Sequence, residues 1–221
     1  ANREEISRRI GEINEDSRGE HAIDEGFSEG YGSLQADVLI PSFIAAYGGQ
    51  SASEVKLRIF DILPKVDWNM TYTGLSKIPW IQKYFESVTL NHGYKSTLST
   101  GGYITNQRFN DKDSDGFYNV ISSLGRENFD LDSNYFSEYQ YNSVTIAESF
   151  SPIINIDMTF KNSVSMRFEI RKDRTVNLNI ANSQISENSS NTITVGSGYT
   201  IKDVVIPIKN QQGKSLKSDL Q

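Results

Sequence analysis

From Val66 almost to the end of the chain, apolar residues recur at every second position, and this period of two constrains the fold more than any other feature. Val66, Trp68, Met70 and Tyr72 alternate with Asp67, Asn69, Thr71 and Thr73. Val88, Leu90, His92 and Tyr94 do the same, followed by Ile154, Ile156, Met158 and Phe160, then Val164, Met166, Phe168 and Ile170. Val176, Leu178 and Ile180 come next, and Ile193, Val195, Tyr199 and Ile201 close the series. Successive side chains on a strand point to opposite faces, so each run predicts a strand with one apolar and one polar face. The polar positions between them are Asn155, Asp157, Arg167, Glu169, Arg171, Asn177 and Asn179. A turn at residues 161–163 sets Phe160 opposite Val164 and Asp157 opposite Arg167, a favourable charge pair. A second at 172–174 sets Ile170 opposite Val176 and Phe168 opposite Leu178. The expected product is an antiparallel meander.

Residues 1–50 read differently, as a helical and irregular segment. A short helix is expected over 3–14, a loose glycine-rich stretch over 18–33, and a second helix over 37–47. The second stops at Gly48 and Gly49 and places Pro41 in its first turn. Residues 51–221 form the strand region, broken by a long loop at about 104–138. Long connections (106–137 and 205–215) fall on one side of the meander and short ones (161–163 and 185–191) on the other, with 172–174 the exception. About six strands and the start of another at 216–221 are expected. Residues 139–160 read either as one long strand with a bulge at Ser151 and Pro152 or as two strands.

Composition removes several function classes. Lys and Arg number 22 against 28 Asp and Glu, a formal net charge of −6, which argues against the basic stripe a nucleic-acid binder needs. No apolar run approaches the ~20 residues of a membrane-spanning helix, but a transmembrane β-barrel is apolar only on alternate residues and stays open. There is no cysteine for disulfides, thiol catalysis or thiolate-bound metal, and there are two histidines, His21 and His92. No nucleophile–base arrangement is evident, so no enzymatic activity and no cofactor are expected. Asp157 and Glu169 share a face, but Arg167 opposite Asp157 makes them a charge ladder rather than an acid–base pair. Asp111, Asp113, Asp115 and Gly116 have the spacing of the first half of a calcium loop, with Ser122 where a bidentate Glu would stand. Alternation leaves two architectures: a secreted β-sandwich module, such as an adhesin or carbohydrate binder using that calcium loop, and a barrel wall with water on its polar face.

Four stretches carry a resemblance: DVLIPSFIAAYGG from Asp37, WNMTYTGLSKIPWIQKYFESVTLNHGYKSTLSTGGY from Trp68, ESFSPIINIDMTFKNSVSMRFEIRKDRTVNLNI from Glu148 and GSGYTIKDVVIPIK from Gly196. They resemble the C-terminal part of the SprA (Sov) family. That family provides the outer-membrane translocon of the type IX secretion system, which also supports gliding motility in Bacteroidota. The likeness runs from about Gly30 onward and is most specific at GLSKIPW, SVTLNH, ESFSP and DMTFKN. It implies an all-β chain, a sector of a very large transmembrane barrel of about 36 strands, exporting folded cargo through the outer membrane. A chain beginning at Ala1 without a leader reads as processed or as a slice of something longer. The implied partners are a PorV-like barrel protein, a periplasmic plug protein, secreted cargo proteins and outer-membrane lipid. On this reading Ile154, Ile156, Met158, Phe160, Val164, Met166, Phe168, Ile170, Val176, Leu178 and Ile180 face lipid or a partner. Asn155, Asp157, Arg167, Glu169, Arg171, Asn177 and Asn179 face the lumen.

Overall fold

The computed structural model describes residues 1–62, 65–209 and 215–220, with side chains as far as Ile201. Among these are helices α1 (Asn2–Ile13), α2 (Ala36–Gly48) and α3 (Pro79–Tyr84). Nine strands are described: β1 (Trp68–Tyr72), β2 (Phe85–Thr100), β3 (Tyr103–Thr105), β4 (Tyr139–Tyr141), β5 (Ser143–Phe160), β6 (Val164–Asn179), β7 (Gln184–Tyr199), β8 (Ile201–Lys209) and β9 (Ser215–Leu220). The chain is mostly β, with an antiparallel five-stranded sheet in the order β1-β2-β5-β6-β7. The pairs β3–β4 and β8–β9 are separate. Contacts divide the residues into two units, one of Ala1–Lys65, Thr97–Ala147 and Thr175–Asn188, the other of Val66–Ser96, Glu148–Arg174 and Ser189–Gln221.

The first unit is helix and loop packed on strand. α2 starts where the Gln35 side-chain oxygen accepts from the N–H groups of Asp37 and Val38, and stops at Gly49, whose φ of 74° suits glycine. Pro41 lies in the second turn rather than the first, so the Asp37 carbonyl loses its donor four residues on. α1 turns Ile6 and Ile10 inward, and the Ser7 hydroxyl donates to the Tyr31 carbonyl at 2.6 Å. The segment between β3 and β4 is no solvated loop: Phe117, Tyr118 and Tyr135 are buried with Tyr31, which meets Phe117 and Tyr135 edge to face. Gly30, at φ 78°, lies so close to the Tyr135 ring that a Cβ there would collide with it. Val144, Ile146, Val176 and Leu178 complete this core from the strands.

Two expected turns are strand. β6 runs straight through 172–174, so Ile170 and Val176 lie along one strand and do not face each other. The polar run stays extended because its residues have partners on β5. The Ser149 hydroxyl donates to Asp173 at 2.5 Å, and Arg174 pairs with Glu148 at 3.3 Å. The chain turns instead at residues 180–183, where Ser183 takes φ 53° and its N–H reaches the Ile180 carbonyl. β7 then continues through 185–191. The 161–163 turn forms as expected, with Arg167 on Asp157 at 2.6 Å.

β5 is one strand from Ser143, passing through a cis Ser151–Pro152 bond. Asp157 and Ser149 stand eight residues apart on β5, while their partners Arg167 and Asp173 stand six apart on β6. β5 therefore accommodates two extra residues near Pro152, a bulge that leaves the alternation in phase. Of the connection expected at 205–215, residues 205–209 belong to β8 and 210–214 lie outside the described residues. The strand expected at 216–221 is β9, with Gln221 outside them.

Candidate functional site

β2, β5, β6 and β7 are 16 to 18 residues long, beyond the usual 3–10 of globular strands. Their apolar phase meets different surroundings in the two units. In the first unit Val176 and Leu178 have no exposed surface, and Ile180 packs against the same core. The expectation that these three face lipid or a partner is thus corrected: the chain's own helices and aromatic loop cover them. Among the described residues of the second unit, none belongs to that core cluster. Met70, Ile193 and Val195 are 59%, 68% and 69% exposed, and Met166 is exposed as well. Ile154, Ile156, Met158, Phe160, Val164, Phe168 and Ile170 are half-buried, outside that core cluster.

Ring clusters mark both ends of the second unit's β2 and β5. Trp68, directly opposite Tyr94, stacks on it at 4.5 Å, and Phe150 meets Tyr94 at 4.7 Å. Phe85 and Phe160 meet at 4.3 Å at the other end. On β5, where Phe150 and Phe160 share the apolar phase, the clusters are ten residues apart. That is about 30 Å of strand, or roughly 25 Å of height at barrel-like tilt. Beside the first cluster the Tyr94 hydroxyl donates to Glu148 at 2.8 Å, and Glu148 also holds Arg174. Glu148 and Arg174 occupy the apolar phase and escaped the sequence reading, which took the charged residues 172–174 as a turn.

The polar phase is a ladder. The Asn155 amide donates to Asp157 at 2.6 Å, Arg167 pairs with Asp157, and Arg171 pairs with Glu169. Arg167, Arg171 and Asn179 are exposed, whereas Asp157 and Asn177 are half-buried, Asn177 donating to the Thr145 hydroxyl at 2.7 Å. Asn155 and Glu169 are buried, so the expectation of open water does not hold at these two positions. Gly196 and Gly198 of β7 lie against Arg167 and Ser165 and leave that phase free of bulk.

The acidic triplet lies in the first unit. Oxygens of Asp111, Asp113 and Asp115 come within 4.8 Å of one another. Asp111 accepts from the N–H groups of Ser114 and Gly116, and the Asn119 amide donates to Asp113 at 3.1 Å. That hydrogen bond holds the Asp113 carboxyl below its ordinary range, while burial and then the neighbouring carboxylates push Asp115 up. Three hard oxygen donors suit a calcium ion, and the Asn119 side-chain oxygen is already taken by the Lys112 N–H. Among the described residues no helix is long and apolar enough to cross a membrane, which says nothing of strands. No protein-family model and no curated protein matches the chain.

Proposed function

We propose that the second unit is a wall segment of a protein-conducting outer-membrane pore of the type IX secretion kind, a sector of a very large barrel rather than an enzyme. The observation that carries this reading is an apolar phase, exposed at Met70, Met166, Ile193 and Val195, between two ring clusters about one bilayer band apart. A single sheet layer with an apolar face is not stable in water by itself; it needs lipid, another sheet or a partner against it. The polar phase supplies the other requirement. A hydrated, mixed-charge surface lets cargo pass without holding it, and transport of this kind needs no reaction and no cofactor. The resemblance adds the partners: a PorV-like barrel at a lateral opening, a periplasmic plug, and secreted cargo.

Cysteine accessibility tests the assignment in membranes carrying the complete assembly. Met166→Cys should resist a hydrophilic thiol reagent that modifies Arg167→Cys, and equal modification of both would end the wall reading. The acidic triplet favours a second reading, a secreted all-β module that binds calcium. A detergent-free monomer with a cooperative, calcium-dependent melt would select it.

A further inference from the structure

Between β1 and β2 the chain makes a short 3-10 turn (Gly74–Lys77) and then α3. Both are pinned to the sheet. The Ser76 hydroxyl accepts from the Val88 N–H at 2.8 Å, and the Lys161 N–H donates to the Tyr84 carbonyl at 3.1 Å. Ile81 is the buried residue of α3, which turns Trp80 and Tyr84, four positions apart, outward at 65% and 55% exposure. Lys77, Lys83 and Lys161 are exposed, and Glu86 is the one acid within residues 74–88. The Lys83 ammonium lies 5.4 Å from the Tyr84 ring centre. This cluster adjoins Phe85 and Phe160, the rings at one end of the apolar phase.

An indole and a phenol are apolar bodies with one wet end, and lysine stems let ammonium groups reach outward from an apolar surface. Three cations against one anion select the charge of what they meet. We infer that residues 74–84, with Lys161, form an interfacial anchor that binds anionic phospholipid headgroups at the edge of the wall. Trp80 and Tyr84 enter the acyl boundary, and the three lysines hold phosphates. This rests on the wall reading, because it places the cluster where a bilayer edge would be.

The chain has two tryptophans, so Trp68→Phe leaves Trp80 as the sole indole reporter. The complete assembly carrying this chain, with a Trp68→Phe/Trp80→Phe assembly subtracted as background, is reconstituted into vesicles of equimolar phosphatidylcholine and phosphatidylglycerol, with one lipid or the other brominated high on the acyl chain. A depth probe on Met166→Cys is read in parallel. Brominated phosphatidylglycerol should quench Trp80 several-fold more than brominated phosphatidylcholine, with each lysine removed lowering that preference. Lys77→Gln/Lys83→Gln/Lys161→Gln should bring it near unity, and Lys77→Gln alone part of the way. Equal quenching by both lipids, unchanged in these variants, would overturn the anionic preference. No quenching at Trp80 with acyl contact at position 166 would overturn the anchor and leave the wall standing. Water at both positions would overturn the wall and the anchor with it.

Discussion

The same alternation of apolar and polar residues ends in opposite surroundings in the two units. In the first, Val144, Ile146, Val176 and Leu178 disappear beneath α1, α2 and a loop rich in buried tyrosine. In the second, Met166, Ile193 and Val195 keep the same period and stay exposed, outside that core. A strand's period records that one face is apolar; it does not record what lies against that face. Removing apolar area from water is worth about 25 cal/mol per Å², and the first unit gathers its buried apolar side chains into one core cluster, whereas the second leaves Met70, Ile193 and Val195 largely in water. The second must obtain it from outside, and this separates a domain that supports itself from a surface awaiting lipid or a neighbour.

The largest expected effect tests the first half of the contrast. Leu178→Ala should destabilise the first unit by about 2–5 kcal/mol, because a closed core cannot collapse fully around the cavity. Val195→Ala should change the first unit's stability by less than about 0.5 kcal/mol, since Val195 lies outside its core. Urea unfolding of the two variants checks this, and equal costs would remove the distinction. The next effect tests the second half. Phe168→Arg should cost about 2–4 kcal/mol in a lipid bilayer, where a mid-strand guanidinium meets hydrocarbon, and Asn179→Arg far less. In detergent-free buffer the Phe168→Arg penalty should shrink sharply; a penalty that ignores lipid would mean a protein layer covers this face.

What the sequence disclosed follows the same division. α2 was legible from its apolar spacing and its Gly48–Gly49 stop, and the 161–163 turn from the alternation on either side of it, whose register sets Asp157 opposite Arg167. The run RKDRT at 171–175 interrupts the apolar series and so reads as a turn, but Asp173 and Arg174 find Ser149 and Glu148 on β5 and stay extended. Local pattern cannot show such partners, which lie some 25 residues away. The cover over Val176 and Leu178 was hidden for a related reason. Tyr31, Phe117, Tyr118 and Tyr135 come from irregular segments with no period to detect. The acidic triplet was legible because its spacing is local, whereas the grouping of Lys161 with Lys77 and Lys83 required the turn between β5 and β6 to meet α3.

The smallest expected effect asks whether the first unit's stability is its own affair. Asp37 lies in the first turn of α2, where its carboxylate accepts from the Gln35 amide at 2.9 Å. Burial, more than the charge of Glu138, raises its pKa above the ordinary carboxylate value, against hydrogen bonds from Gln35 and Ser137 and the charge of Arg58. A carboxyl with a raised folded-state pKa holds its proton longer in the folded than in the unfolded chain. Its stabilising contribution is therefore complete below the ordinary carboxylate value and declines as pH rises through the raised one. Asp37→Asn keeps an acceptor for Gln35 and removes the titration. The urea midpoint of the parent should fall relative to this variant over that window, with the variant the more stable at neutral pH. Accessibility of a cysteine at position 166 should not respond. A variant less stable than the parent at neutral pH would show that the charge is favoured where it stands, by the N-terminal end of the helix dipole, over the cost of its desolvation.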